Sequence, residues 1–407
     1  MTESFKTNES LISARQKLLA YCRANDWAGY DPYDALNSRL FAAVPLLDRR
    51  IPRLVLTQIL KRLPINIRPM LAIPKKQNPK GIALFLSALI KLCRIGEKDQ
   101  QDLIAPLIER LETLRSEGEA YYCWGYSFPW QTRTIVVPLG APNLVCTIFV
   151  ANALFDAYDY LNDSKCLTMA LSAAEYILNE LCWKEGNTAS FSYPLPSVRS
   201  EVHNANFLAA ALLSRAFSHT KDRKFLVPAL EVARCSAAKQ QGDGSWYYGE
   251  AASQRWIDNF HTGYNLCALR DLANYAPTTE FDSVIRRGFE FYREHFFEAD
   301  GSVRYFHNRT YPIDVHCVAQ SIITLLTFSD LDSHSLVLAR NVLQWGLTNM
   351  WDDRGFFYYQ VLRPFTNRIS YMRWSQAWML LAMVVLQEAS GIEDTKELGT
   401  PLAELAQ

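Results

Sequence analysis

The stretch Gly242-Asp243-Gly244-Ser245-Trp246-Tyr247-Tyr248, followed by Asp258-Asn259-Phe260-His261-Thr262-Gly263-Tyr264 and an apolar run from Leu266, decides how this chain folds. It joins a glycine turn, a cluster of aromatics and a helix that opens on polar residues. The unit recurs. Asp300-Gly301-Ser302-Val303-Arg304-Tyr305 precedes Tyr311-Pro312-Ile313-Asp314-Val315-His316, and Asp353-Arg354-Gly355-Phe356-Phe357-Tyr358-Tyr359 precedes Tyr371-Met372-Arg373-Trp374-Ser375-Gln376. Looser copies stand at Trp124-Gly125-Tyr126 before Pro142-Asn143, and at Phe191-Ser192-Tyr193 before Glu201-Val202-His203-Asn204. Aligned on Trp124, Phe191, Trp246, Val303 and Phe356, the copies fall roughly 50 to 70 residues apart, which is two helices and two loops per repeat. That period predicts a closed or stacked array of helical hairpins.

Repeat architectures grow by adding units, so 407 residues need no second core. A single domain over 1–407 follows, with atypical repeats in 1–118, regular ones in 119–392 and a tail in 393–407. Lys plus Arg equals Asp plus Glu at 42 each, which leaves no global field to draw nucleic acid or an anionic membrane, though local patches are open. Met1 to Arg15 is polar and lacks a signal-peptide core, and no run of about 18 uncharged apolar residues occurs. The expectation is a soluble cytoplasmic protein without a transmembrane segment. Nine cysteines stand singly with no CxxC pair, as buried thiols in a reducing compartment would.

Apolar periodicity gives about 12 to 14 helices, among them 33–45, 51–63, 80–95, 142–162, 164–184, 202–219, 258–276, 314–329 and 371–390. Short loops such as Asn162-Asp163-Ser164 alternate with the long aromatic ones. All the long loops should therefore emerge on one end of the array, the candidate functional face. Local β-hairpins are possible at Ser245 to Tyr248 and Phe356 to Val361. Trp27 to Asp34 and Ile73 to Gly81 read as degenerate copies of the loop. Within the second, the basic stretch Pro74 to Lys80 reads as solvated surface.

The GDGSWYY turn between two helices resembles the glutamine-tryptophan repeats of squalene cyclases and the loops of the α/α toroids. The fold resemblance covers most of the chain and implies an all-α fold, an α/α toroid of six or seven helical hairpins. The string Tyr305-Phe306-His307-Asn308, Tyr311-Pro312-Ile313-Asp314-Val315-His316, with Gln320 one turn later, resembles squalene-cyclase-like proteins associated with bacterial surface-polysaccharide gene clusters. That likeness implies a saccharide or lipid-linked saccharide as ligand and association with polysaccharide-assembly proteins. The acid motif of triterpene cyclases is lacking; Asp156-Ala157-Tyr158-Asp159 and Asp352-Asp353 only approach it. Isoprenoid cyclisation is disfavoured, and it stands third behind a saccharide enzyme and a non-catalytic glycan binder or scaffold. A zinc site of the prenyltransferase kind would have to combine Cys267 or Cys317 with His261, His316 or Asp258, and no spacing demands it.

In a toroid the starts of the inner helices converge, so Asn143, Glu201, His203, Asn204, Asp258, Asn259, His261, Asp314, His316, Arg373 and Gln376 are the candidate site. Helix N-termini add positive potential there, which suits anionic sugars. Asp258 and Asp314, then Glu201, are the leading carboxylates for glycoside hydrolysis, which needs a proton donor and a second carboxylate. The plainer alternative is a helix N-cap, and both roles fit one side chain only if an oxygen stays free. A His and Tyr pair, for example His203 with Tyr264 or Tyr311, is the alternative base and acid for an epimerase or lyase; His261, three residues after Asp258, and His316, two after Asp314, are the other candidate histidines. Trp124, Tyr126, Trp130, Trp246, Tyr248, Phe356, Tyr358 and Trp374 are candidate sugar-stacking platforms, or else packing between repeats. Arg133, Arg304 and Arg373 could hold a carboxylate or phosphate. No P-loop, dinucleotide turn, nucleophile elbow or HExxH occurs, so the expected site uses no cofactor and no metal.

Overall fold

The computed structural model describes residues 2–132 and 135–398, with side chains described for 10–132 and 135–391. Arg133, most of the proposed tail and the side chains of its first residues lie outside these. The α-helices in chain order are α1 (Thr2–Ala24), α2 (Arg39–Ala42), α3 (Arg50–Arg62), α4 (Pro79–Arg94), α5 (Ile104–Thr113), α6 (Leu144–Leu161), α7 (Ser164–Tyr176), α8 (His203–Thr220), α9 (Arg223–Ala237), α10 (Asn259–Tyr275), α11 (Asp282–His295), α12 (Val315–Thr327), α13 (Ser335–Asn349) and α14 (Ala377–Leu398). Six of them form a ring. α4 packs on α6, α6 on α8, α8 on α10, α10 on α12, α12 on α14, and α14 returns to α4. Outside them α5, α7, α9, α11 and α13 each pack on the inner helix that precedes them, and α1 packs on α14. The architecture is an α/α toroid of six hairpins.

Two kinds of helix follow from two kinds of sequence. Inner α6 is apolar nearly all round, as a helix with neighbours on every side must be, and its buried residues run from Leu144 through Ala157. By length and composition it could cross a membrane, at mean hydropathy 1.3, but 61% of it is buried inside the ring. Its two acids, Asp156 and Asp159, are both held by Arg215 of α8 at 2.8 Å, which is a structural use of that near-motif. Outer α5 buries only Ile104, Leu107, Ile108 and Leu111, one face at helical spacing.

The repeated turn is the joint between hairpins. Gly244, Gly301 and Gly355 take φ of +92°, +86° and +90°, a region that favours glycine. A side chain there would also collide with the neighbouring outer helix: a Cβ on Gly244 would run into the Arg287 carbonyl of α11, on Gly301 it would meet the Asn341 carbonyl of α13 at 2.8 Å, and on Gly355 the Lys17 carbonyl of α1 at 2.8 Å. The third joint shows how the N-terminal helix completes the ring as its sixth outer member. Two residues after each glycine, Trp246, Val303 and Phe357 are at most 1% exposed. The apt alignment is thus on Phe357, one residue beyond Phe356.

Most helix boundaries agree with the periodicity to within a few residues, but the helix expected over 371–390 opens as a π turn at Met372–Gln376 that leads into α14, so that the two make one inner helix, and two others differ more. The helix expected over 164–184 gives way to a π turn at Ile177–Leu181 and a hairpin of Cys182–Glu185 with Thr188–Phe191. The helix expected over 33–45 is broken into Asp34–Asn37, Arg39–Ala42 and Pro45–Leu47. Short ladders also pair Trp130–Gln131 with Val136–Val137, Trp351–Asp352 with Phe356–Phe357, and Ile313–Asp314 with Gln360–Val361, which continues to Thr366–Asn367.

Candidate functional site

The inner helices all start at the end of the ring that carries the long aromatic loops. Asn78 caps α4, Asn143 caps α6, Asp258 caps α10 and Asp314 caps α12, each by accepting a backbone N–H of the first turn. Four residues after Gly244, Gly301 and Gly355 come Tyr248, Tyr305 and Tyr359, and the carbonyl of each accepts the N–H of His203, Asn259 and Val315 respectively. This contact ties each of these three loops to the helix start before it. Tyr126, Tyr193, Tyr248 and Tyr305 are half-buried, and burial pushes all four phenols above their ordinary range. Their phenols converge over the helix starts, with Tyr126 and Tyr248 beside Tyr193 and Tyr305 beside Tyr33, and the partly exposed space between them is the recess. Tyr359, not the expected Tyr358, is the last of the series and is fully buried; Tyr358 points elsewhere, beneath Arg368 at 5.3 Å.

Phe260, His261 and Tyr264 of α10, His316 of α12, Trp374 and Trp378 of the last inner helix, and Phe149 of α6 form one connected set of rings. Phe260 lies 4.1 Å from His261, 4.9 Å from His316 and 5.7 Å from Trp374 between centroids. Tyr248 covers the other side of His261 at 4.6 Å and itself stacks on Trp256 at 4.5 Å. Tyr264 reaches Phe149 at 5.9 Å and Trp378 at 5.5 Å.

Both leading carboxylates are consumed. Asp258 Oδ1 accepts the His261 N–H at 3.0 Å, while Oδ2 takes Trp256 Nε1 at 2.9 Å and His261 Nδ1 at 2.8 Å. Asp314 Oδ1 takes the His316 N–H at 2.8 Å and Trp374 Nε1 at 2.9 Å, and Oδ2 takes Gln360 Nε2 at 2.6 Å. Burial pushes the Asp314 carboxyl up to about 6, against the pull of those hydrogen bonds. Neither acid keeps a free oxygen, so neither has the opening that a glycosidic acid or nucleophile requires. They orient other groups instead. Glu201 is half-buried just before the start of α8, where its carbonyl accepts the Glu250 N–H.

Three histidines separate clearly. His203 faces outward, with Nδ1 3.3 Å from Ser236 of α9 and Nε2 2.9 Å from Glu250, away from the recess. His261 has Nδ1 on Asp258, and Nε2 has no partner among the described residues; its side chain is 21% exposed. His316 is buried, with Nδ1 3.2 Å from the Trp374 carbonyl and Nε2 2.6 Å from the Tyr264 hydroxyl. The carbonyl can only accept, so Nδ1 carries the proton and Tyr264 donates to Nε2. Burial, with Lys80 and Arg373 nearby, holds His316 well below the usual histidine range. Burial holds the Tyr264 phenol well above its own.

The other candidates divide. Trp124 and Trp246 are 0% and 1% exposed, with indole N–H groups on the Leu111 and Ser236 carbonyls, so they are core anchors and not sugar platforms. Trp130 sits in the Trp130–Gln131 ladder, half-buried. Asn143 donates to the Pro194 carbonyl at 3.3 Å, Asn259 pairs with Ser321 and Tyr292, and Asn204 is buried. Gln376 grips the Phe357 backbone from both sides at 2.9 and 2.8 Å. Tyr311 lies under Arg363 at 4.9 Å, and Arg304 pairs with Glu298 at 2.8 Å. Arg373 does reach the recess: it grips Asp31 through Nε at 2.6 Å and Nη2 at 2.8 Å and lies 5.0 Å from the Tyr126 ring. No group of three or more His, Cys, Asp or Glu side chains that could hold a metal occurs among the described residues.

Asp31, Tyr33, Lys80, Tyr193 and Tyr305 are among the residues of the site that the sequence reading did not name as candidates. Asp31 and Tyr33 come from the degenerate turn Trp27 to Asp34, which fills the sixth loop position; Tyr33 meets Trp374 at 5.6 Å. Tyr193 lies beside Tyr248 and Asn143. Lys80, expected on a solvated surface, is 3% exposed. Its signal was present: Asn78-Pro79 followed by Gly81-Ile82-Ala83-Leu84-Phe85-Leu86 is a capped inner-helix start.

No family model matches the chain, and no curated protein matches it in sequence. Solved structures do match in shape. Cellobiose 2-epimerase from Bacillus thermoamylovorans superposes with TM-score 0.62 at 11% identity, over 79% of this chain and 90% of that one. An unsaturated glucuronyl hydrolase specific for heparin gives 0.61 at 12%, over 95% and 98%. A GH76 α-mannanase from Bacteroides thetaiotaomicron gives 0.59 at 11%, over 79% and 88%. The likeness is one of fold.

Proposed function

We propose that this protein is a carbohydrate-active enzyme that works by proton transfer to and from carbon, an epimerase or lyase rather than a hydrolase with paired carboxylates. The observation that carries the reading is the His261 imidazole: Asp258 fixes Nδ1 at 2.8 Å and leaves Nε2 open toward the recess, while the Tyr264 ring lies 6.1 Å away. In this reading Nε2 takes the proton from the carbon next to a carboxylate or carbonyl, and the electron pair moves onto that group's oxygen. Tyr264, turning its O–H from His316 to the substrate, then gives a proton either to the opposite face of the carbon, which inverts it, or to a glycosidic oxygen leaving the adjacent carbon, which eliminates; the proton held on His261 afterwards passes through water to the Tyr264 oxygen and restores both groups. The half-buried tyrosines supply flat apolar surfaces for the sugar ring. The saccharide chemistry in the names of the epimerase, the mannanase and the glucuronyl hydrolase of like fold supports the ligand class. The resemblance of Tyr305 to Gln320 supports a place in bacterial surface-polysaccharide assembly, on a saccharide or lipid-linked saccharide, in the cytoplasm beside other assembly proteins.

The test is incubation with a panel of uronate-bearing and neutral oligosaccharides in deuterium oxide, read by mass spectrometry. Deuterium gained at carbon without change of composition, or an unsaturated uronate product, is expected. His261→Gln and Tyr264→Phe should each slow the reaction about 100-fold or more with the melting temperature nearly unchanged. Gain of water across a glycosidic bond, or full activity in His261→Gln, overturns the reading.

A further inference from the structure

Resting on the saccharide reading of the recess, we propose that Lys80 is the residue that selects an anionic sugar, a uronate or a sugar phosphate, by binding its charged group. Lys80 stands in the first turn of α4, 3% exposed, with its Nζ 4.0 Å from the centroid of Phe149, 5.2 Å from Trp378 and 5.5 Å from Tyr264. Nζ has no hydrogen-bonding partner among the described residues. A buried ammonium brings three donors, and leaving them unmet is costly unless a ligand supplies acceptors. Every nearby acid is already taken: Asp31 by Arg373, Asp258 by His261 and Trp256, Asp314 by Gln360 and Trp374. Arg373 spends Nε and Nη2 on Asp31 and keeps Nη1 without a partner among the described residues. The unmet polar groups of the recess are therefore donors, and an anion is what completes them. A cation beside the substrate carboxylate also serves the proton transfer, because charge arriving on that carboxylate is what makes the neighbouring C–H acidic.

Burial, and then the Arg373 charge, hold the Lys80 amine well below its usual range. Its surroundings are Arg373 on the last inner helix, His316 on α12, Tyr264 on α10, Cys146 on α6, and Asp31 from the sixth loop. An anion must therefore bring a proton with it as pH rises. Calorimetric titration of the full chain with D-glucuronate, D-glucuronamide, D-glucose 1-phosphate and D-glucose separates the cases. Glucuronate should bind at least about tenfold tighter than its neutral amide at pH near 6. Lys80→Met, which fits among the aromatic rings, should erase that preference while binding of the amide persists. In the unmutated protein the preference should shrink toward pH 9. Glucose 1-phosphate bound in place of glucuronate identifies the phosphate as the charged group. No preference for either anion over its neutral counterpart (glucuronate over glucuronamide, glucose 1-phosphate over glucose), or a preference unchanged in Lys80→Met, overturns the assignment while leaving the saccharide reading in place. No response to any of the four sugars sinks the saccharide reading itself.

A separate observation concerns the outside of the molecule. Between residues 40 and 70, the large apolar side chains Leu40, Val44, Leu46, Ile51, Val55, Ile59, Ile65 and Met70 are 42% to 76% exposed. Ile51, Val55 and Ile59 form a stripe on one face of α3, flanked by Leu54, Gln58 and Arg62. Segment 39–70 holds seven Lys and Arg and one acid in a chain of net charge zero. The combination of an uncovered apolar stripe and a local positive excess points to an anionic bilayer surface as its partner. Lys61, on the opposite side of the same helix, donates to Tyr33 at 2.8 Å, so α3 lies between this stripe and the recess. Co-sedimentation should show binding to vesicles of phosphatidylcholine mixed with phosphatidylglycerol, weakened by salt, and little binding to phosphatidylcholine alone. Ile51→Ser with Ile59→Ser should abolish it without lowering the melting temperature. Absence of vesicle binding, or a dimer in solution that these two changes dissolve, overturns this assignment.

Discussion

At the scale of the residue, hydrogen-bond capacity decides between chemistry and support. Asp258 and Asp314 sit where a sequence-based search for acids must look, because a helix cap and an active-site carboxylate are the same residue type at the same place. Counting donors separates them: each accepts three hydrogen bonds, both oxygens are engaged, and at 3% and 0% exposure neither faces a ligand. Lys80 is the converse case, since three basic residues within Pro74 to Lys80 suggest solvent, and only packing shows that the last of them turns inward. Its burial costs stability, which Lys80→Met should restore as a higher melting temperature. The sign of the pH dependence follows from the lowered amine: below its ordinary range near 10.4 the unfolded chain binds a proton that the folded one holds less tightly. Stability of the natural protein therefore gains on the variant as pH rises, and the advantage of methionine should fade toward pH 10. A lower melting temperature for Lys80→Met at neutral pH would show instead that the ammonium is a structural support.

At the scale of the element, the aromatic turn has two functions divided by position. Its glycine and the residue two further on build the joint to the next hairpin, and the tyrosine four on meets the recess or the helix start beneath it. The repeat made the turn legible, but the roles of its aromatics were not: Trp246 is the largest and the most buried of its copy. Trp246→Ala should cost about 3–5 kcal/mol of stability with no specific loss of sugar binding, whereas Tyr248→Ala should weaken binding with little change in unfolding. Gly355→Val forces a branched side chain into φ +90° against the Lys17 carbonyl of α1. It should lower stability by about 2 kcal/mol or more, measured by denaturant unfolding; a neutral effect would mean that the joint to α1 is soft.

At the scale of the whole molecule, the ring is completed by residues from opposite ends of the chain. α1 packs on α14, Gly355 abuts α1, and Arg373 reaches back to Asp31 across 342 positions. Removing residues 2–24 should therefore expose the apolar side of α14 and leave a chain that unfolds at lower denaturant and with less cooperativity, as circular dichroism would record. Number, order and starts of most helices followed from the sequence by itself, because apolar spacing, capping residues and turn glycines act within a few positions of one another. The repeat likewise determined that the long loops share one end. Only the tertiary structure decided which side chains at that end face the recess. His203, His261 and His316 occupy similar places near three helix starts, yet one turns outward to Ser236, one is held open by Asp258 and one is closed by Tyr264. Each outcome is set by a partner or packing neighbour brought there by the closing of the ring, and no local pattern carries that information.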